Sequence, residues 1–190
     1  MALLSIGKRK KYFSELKLGE YNNLNVRKFQ ARYFTRSKDI DGIYGKDTDA
    51  LLRHVYNCSM SKYFAPFEFK CECGGKHCTG YPTYINERTL KFMDQIRIHY
   101  NKPVYVTSGL RCRTFNSKTN GASSTSKHVS GKAVDYYING VTNTLSGRIT
   151  HIKLIKKMKN HDYSYCNGFD SLNNKPIAPN MGNAVHTQTL

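Results

Sequence analysis

His128 and Asp135 stand seven positions apart with Gly131 between them, in the run Ser126-Lys-His128-Val-Ser-Gly131-Lys-Ala-Val-Asp135. A later histidine, His186, sits in the short apolar stretch Ala184-Val-His-Thr. An imidazole offers a neutral nitrogen, and a carboxylate offers an anionic oxygen that partly neutralises a dication. Two histidines and one carboxylate can therefore hold a zinc ion and leave its fourth position open for water. A loop residue and a residue inside the next strand converge on one side of a sheet if the chain turns between them, and Gly131 permits that turn. Taken alone, a His and an Asp at this spacing are more often unrelated surface residues, so the surrounding elements carry the case.

Those elements are readable from periodicity. Val104-Tyr-Val106 and Ala133 to Ile138 are short β-branched or aromatic runs expected to be strands. Glu87 to Tyr100 places Leu90, Met93, Ile96 and Ile98 on an amphipathic helix that Pro103 stops, and Arg148 to Met158 reads as another helix. Ile177 to Leu190 reads as a loop followed by a short strand around His186. This order predicts an α+β domain with an antiparallel sheet over residues 61–190. Residues 1–60 form a separate helical part. There Val26, Phe29, Gln30 and Tyr33 recur at helical spacing, Asp41-Gly-Ile-Tyr-Gly45 breaks the chain, and a second helix starts with Asp47 or Thr48 as its N-cap. The Asp39-x-Asp41-Gly42 fragment lacks the further oxygen ligands and closing Glu of a calcium loop, so a helical corner is preferred. A linker, Ser59 to Phe67, contains Pro66.

Composition narrows the partners. The net charge is +17, from 30 Lys+Arg against 13 Asp+Glu, which favours a polyanion such as nucleic acid or an anionic cell wall. No aromatic-basic stacking motif accompanies the charge, and this argues against nucleic acid. The excess is spread along the chain, as in Lys153, Lys156, Lys157 and Lys159, and a solvated basic helix face accounts for much of it. The start, Met1-Ala-Leu-Leu-Ser-Ile-Gly, lacks a secretory pattern, and no run reaches transmembrane length. The expectation is a chain made in the cytoplasm that would need another route to any site outside the cell. Six cysteines are too few for a disulfide scaffold at this length. Cys71-x-Cys73 with Cys78 reads as free thiols, a disulfide or a fragment of a metal knuckle, with His77 beside it as a further ligand type. His99 and His151 fall in expected helices as packing or surface residues.

Two resemblances add to this reading. Asp41-Gly-Ile-Tyr-Gly45 followed by Thr48 at a helix start resembles the small three-helix peptidoglycan-binding module, over roughly residues 20–60. Ser108-Gly109-Leu-Arg111, Asn116, Gly121-Ala122 and Ser126-x-His128-x-x-Gly131-x-Ala133-x-Asp135 are similar, in order, to the zinc D-alanyl-D-alanine carboxypeptidase and L-alanyl-D-glutamate endopeptidase family, whose fold is shared with the hedgehog signalling domain. The second resemblance implies Zn2+ held by His128, Asp135 and His186. It implies Arg111 on the substrate's carboxylate or carbonyl oxygen, which its planar guanidinium suits. A domain-stapling salt bridge is the structural alternative for Arg111. Ser108 and Ser126 are the accompanying substrate-side positions.

The resemblance also exposes a departure. Many members carry an acid three positions before the last histidine, where this chain has Asn183; others carry His-x-Asp, where it has Gln188. Neither side chain ionises. Asp170, sixteen residues before His186, is the nearest upstream acid. Either Asp170 or a more distant acid is the proton acceptor, or hydrolysis runs slowly with no such acid, or the domain binds wall peptide without cutting it. The resulting expectation is a phage-type lytic protein acting on bacterial peptidoglycan and anionic wall polymers. A non-catalytic zinc-bearing wall binder and a basic nucleic-acid-binding protein are its rivals.

Overall fold

The computed structural model describes residues 2–171 and 181–189. Three helices come first: α1 (Ile6–Glu15), α2 (Asn23–Tyr33) and α3 (Lys46–Cys58). Helix α1 is an addition to the sequence reading. Its single buried residue is Phe13, so it has almost no apolar periodicity to detect. Helix α3 is capped by Gly45, not by Asp47 or Thr48. Thr48 is buried and accepts a hydrogen bond from Gln30 Nε2 at 3.0 Å. The Asp41 carboxylate is spent within the corner, accepting from Ile43 N and Gln30 Nε2. That use, together with the left-handed φ of 79° at Gly42, makes Asp41-to-Gly45 a structural corner.

The second half holds α4 (Glu87–Tyr100), β1 (Tyr105–Ser108), α5 (Arg113–Lys118), β2 (Ala133–Tyr137), α6 (Leu145–Ile155), β3 (Tyr163–Cys166), β4 (Phe169–Asp170) and β5 (Val185–Gln188). The fold is α+β, and the five strands among the described residues are antiparallel in the order β1-β2-β5-β3-β4. The β3–β4 hairpin and α5 were not legible beforehand; each is too short to show a period. The start of the loop that precedes β5, from Ile177, lies outside the described residues.

Register decides which side chains share a face. Ser108 pairs with Asp135, Asp135 with His186, His186 with Tyr165, and Tyr165 with Asp170. Directly paired residues project to the same side, so this row crosses the sheet on one face. The opposite face carries Val134, Tyr136, Ser164, Cys166, Val185 and Thr187, all buried. It packs towards α4 and α6, where Tyr100 and Tyr136 both bond the ring of His151. Helices thus cover one face, and the row of candidate ligands lies on the other.

The main cluster of buried apolar residues runs from Leu4 and Phe13 in the helical part to Val185 in β5. The two parts also touch through specific bonds. His54 Nε2 donates to Pro66 O at 2.8 Å, its Nδ1 accepts from Ile85 N, and Asn57 donates to Ile85 O. No helix among the described residues is long and apolar enough to cross a membrane.

Burial depresses the pKa of His54 to about 4, and that of His151 to about 3. Both stay neutral in the folded chain at pH values where the unfolded chain, near 6.5, takes up protons. Their contribution is therefore complete above pH ~6.5 and is lost as pH falls towards the folded values. Stability should fall by about 1.4 kcal/mol per pH unit for each histidine in that window. Urea midpoints measured at pH 6.5, 5.5 and 4.5 in the presence of a chelator should decline steadily; a flat series would contradict the neutral assignment.

Candidate metal centre

The 3-10 turn at Lys127–Ser130 carries His128, and Gly131 closes it in a left-handed conformation, φ 68°. A Cβ at Gly131 would fall on the carbonyl oxygen of Tyr84, and Gly131 O accepts from Asn86 N at 2.8 Å. The turn is thereby clamped to the start of α4. Asp135 follows in β2, and His186 lies beside it in β5.

The three side chains converge. His186 Nδ1 lies 2.7 Å from Asp135 Oδ1, His128 Nε2 lies 3.4 Å from the same oxygen, and the two ring nitrogens are 3.3 Å apart. Ligand–ligand edges in a tetrahedral zinc site with bonds of ~2.0–2.1 Å are about 3.3 Å; two of the three distances match, the Asp135–His186 edge is shorter, and the nitrogen and oxygen donors are of the type zinc takes. Tautomers support the fit. His128 Nδ1 donates to Gly109 O at 2.7 Å, and a carbonyl can only accept. His186 Nε2 faces Gln188 Oε1 at 3.4 Å, and the Gln188 amide donates to Asp162. Each ring thus holds its proton on the outside, and lone pairs from two nitrogens and one carboxylate meet inside. A cation between them would make this arrangement favourable. With protons on the inner nitrogens in place of an ion, the facing rings outweigh the burial that would raise the Asp135 carboxyl and hold it far below the usual carboxylate range.

Arg111 borders the centre. Its backbone N–H donates to His128 O, Nη2 donates to Ser108 Oγ at 2.9 Å, and Nη2 lies 3.8 Å from Asp135 Oδ2. Its Nε is buried with no hydrogen-bond partner among the described residues. Gly109 makes the approach possible, because a Cβ there would strike the backbone of Phe69. Ser126 enters the turn through its carbonyl, which accepts from Val129 N, and its side chain makes no capping bond. A cleft of about 430 Å³ opens beside Asp135, lined by Thr107, Ser108, Tyr137, Met181, Asn183 and Ala184. Asp135 is the most open of the three converging side chains at 16% exposure, against 3% and 5% for His128 and His186.

The remaining expected residues fall differently. Asn183 lines the cleft, and its Oδ1 accepts from Arg148 at 3.2 Å. Asp170 is not brought to the centre. It sits two strands from His186, buried, with its carboxylate accepting from Tyr163 Oη. The ring of Tyr165 stands between, stacked on His186 with centroids 4.4 Å apart. Gln188, read as a vacant position for an acid, instead orients His186. Glu72 was missed. Burial raises its carboxyl, and its charge is felt by Arg111, Asp135 and His128. Nothing in local spacing could link it to residues about 40 to 60 positions away.

The peptidase M15 family model matches residues 62–166. The chain belongs to the peptidase M15 family. Its members are zinc-dependent metallopeptidases, and His128 and Asp135 lie within the matched span, while His186 lies beyond it. No curated protein and no solved structure matches the chain.

Proposed function

We propose that this M15 chain hydrolyses a peptide bond in bacterial peptidoglycan, as a carboxypeptidase or endopeptidase on stem or crosslink peptides. The observation that carries the reading is the convergence of His128, Asp135 and His186 beside Arg111 at the mouth of a cleft. Zinc held by those three would activate a water and polarise the scissile carbonyl. The peptide would lie in the cleft between Thr107–Ser108 and Asn183–Ala184. Arg111, with its unpartnered Nε and its fork fixed by Ser108, would bind a substrate carboxylate or carbonyl oxygen. Tyr165 would keep the His186 ring from rotating.

Proton handling needs an acid other than Asn183 and Gln188. We assign it to Glu72. Cys71 accepts a hydrogen bond from Cys112 N, next to Arg111, and Glu72 follows it as an exposed residue whose charge interacts with Arg111, Asp135 and His128. Glu72→Gln should lower kcat by tenfold or more, whereas Asp170→Asn should leave kcat within about threefold. Asn183→Asp should retain activity, since an aspartate there still accepts from Arg148. A fall of tenfold (about 1.4 kcal/mol) in that last variant would give Asn183 a polar role of its own.

Helices α1 to α3 would hold the wall, and the +17 charge would favour an anionic one. The setting we favour is a phage-type lytic protein, made in the cytoplasm and acting on the wall after release. Zymography on purified walls separates the readings. Clearing that EDTA abolishes and zinc restores supports the hydrolase. Zinc and wall binding without clearing on any wall type would leave a non-catalytic binder.

A further inference from the structure

We infer that Cys71, Cys73, Cys78 and Cys112 form a second, purely structural zinc site. Their four sulfurs all lie within 4.8 Å of one another, and none is in a disulfide. The sulfurs of Cys73 and Cys78 lie 3.4 Å apart. A disulfide needs about 2.05 Å. Zinc–thiolate bonds of ~2.3 Å place tetrahedral sulfurs about 3.8 Å apart. The cluster therefore has the dimensions of a cage around one ion.

The surrounding backbone is arranged as a thiolate site requires. Three main-chain N–H groups point at sulfur: Gly80 N at Cys78, Cys112 N at Cys71 and Phe115 N at Cys112, each at 3.4 Å. Such donors offset the negative charge that four thiolates leave on a zinc site. The loop reverses through Gly74 and Gly75, with φ of 61° and 80°. Its base is closed by Cys71 N donating to Gly80 O at 2.8 Å. His77 lies outside the group; the fourth ligand comes instead from Cys112, thirty-four positions beyond Cys78. No spacing rule would have found it.

The site also has something to hold. Between Phe69 and Glu87 the chain has no helix or strand. The local apolar cluster there consists of Cys71, Cys73 and Cys112, with Cys78 and Phe115 against it. Tyr81 and Ile85 belong to the main core, but sulfur makes up most of this second cluster, which is the situation in which a metal replaces a core. All four ligands are protein atoms, so the site is closed and has no position for water, unlike the histidine centre. On binding, the thiols release their protons and the four sulfurs donate to Zn2+; no redox change is involved. Cys112 follows Arg111 directly, so the ion would pin the base of the residue that faces Asp135.

Metal analysis of the full-length protein, purified without chelator, tests this. We expect two zinc ions per chain. The His128→Ala/His186→Ala variant should keep one, and its zinc X-ray absorption should show four sulfur neighbours and no nitrogen. Cys78→Ser should keep one at most. Loss of all zinc from the double histidine variant, or a nitrogen and oxygen shell around the zinc it keeps, would overturn the inference. So would a native chain whose mass reveals a Cys73–Cys78 disulfide. A wild-type protein holding a single, all-sulfur zinc would uphold the cysteine site while sinking the histidine centre, so the two assignments fail separately.

Discussion

Alanine at His128, Asp135 or His186 should remove one zinc per chain and lower hydrolysis by at least ~10³-fold, about 4 kcal/mol in barrier. Each residue offers one of three candidate ligand atoms that lie 2.7–3.4 Å apart. Two remaining ligands hold zinc poorly, and the chemistry the ion would supply has no substitute among the neighbouring side chains. Asp135→Ala has a second consequence. It leaves Arg111, 3.8 Å away, facing an uncompensated pair of histidines, so its affinity for zinc should be the lowest of the three. Asp135→Asn separates charge from shape: it keeps the size of the ligand and loses the anion, and should still lose most activity. Metal content by mass spectrometry and peptide release from purified walls are the readouts. Zinc stoichiometry unchanged in all three alanine variants would mean that these residues do not hold the ion.

Gly131→Ala should be the most damaging substitution that touches no reacting group. Two costs combine. A left-handed φ costs a non-glycine residue about 1–2 kcal/mol, and the new methyl would meet the backbone carbonyl of Tyr84, which belongs to the main chain and cannot swing aside. We expect a loss of about 3 kcal/mol or more, which for a chain of this size lowers Tm by roughly 6–12 °C. The turn must move to relieve the contact, and His128 moves with it. Zinc affinity should therefore fall in the same variant, with activity falling further than stability explains. Gly121→Ala is the control: its φ of 73° is similar, but nothing lies within 4 Å of the added methyl. Equal losses in both variants would show that backbone conformation alone, and not the approach to Tyr84, sets the requirement for glycine.

Much of the site was legible because its parts are local. His128, Gly131 and Asp135 lie within one turn and the start of one strand, and their spacing follows from that geometry. Helices α2, α3, α4 and α6 were legible for a similar reason, each having enough turns for an apolar face to repeat. What escaped was either short or distant. Strand β4 has two residues, too few for any period. Glu72 and Cys112 reach their neighbours through the fold and not through the chain. Asp170 looked close in sequence, yet pairing with Tyr165 sends it across the sheet, away from the ligands. The N-cap of α3 was misread because Thr48 has a better use: its hydroxyl meets the Gln30 amide inside the core.

The row Ser108–Asp135–His186–Tyr165 has a consequence for how this chain can change in length. Facing along a strand alternates with every residue, so parity is as important as identity. Inserting or deleting one residue within β2 or β5 would turn the ligand of that strand to the helix-covered side and bring an apolar neighbour, such as Val134 or Val185, into its place. Insertions in the exposed bend between α5 and the His128 turn carry no such penalty. Variation in length among natural or engineered versions should therefore collect in that bend, while β2 and β5 keep their count.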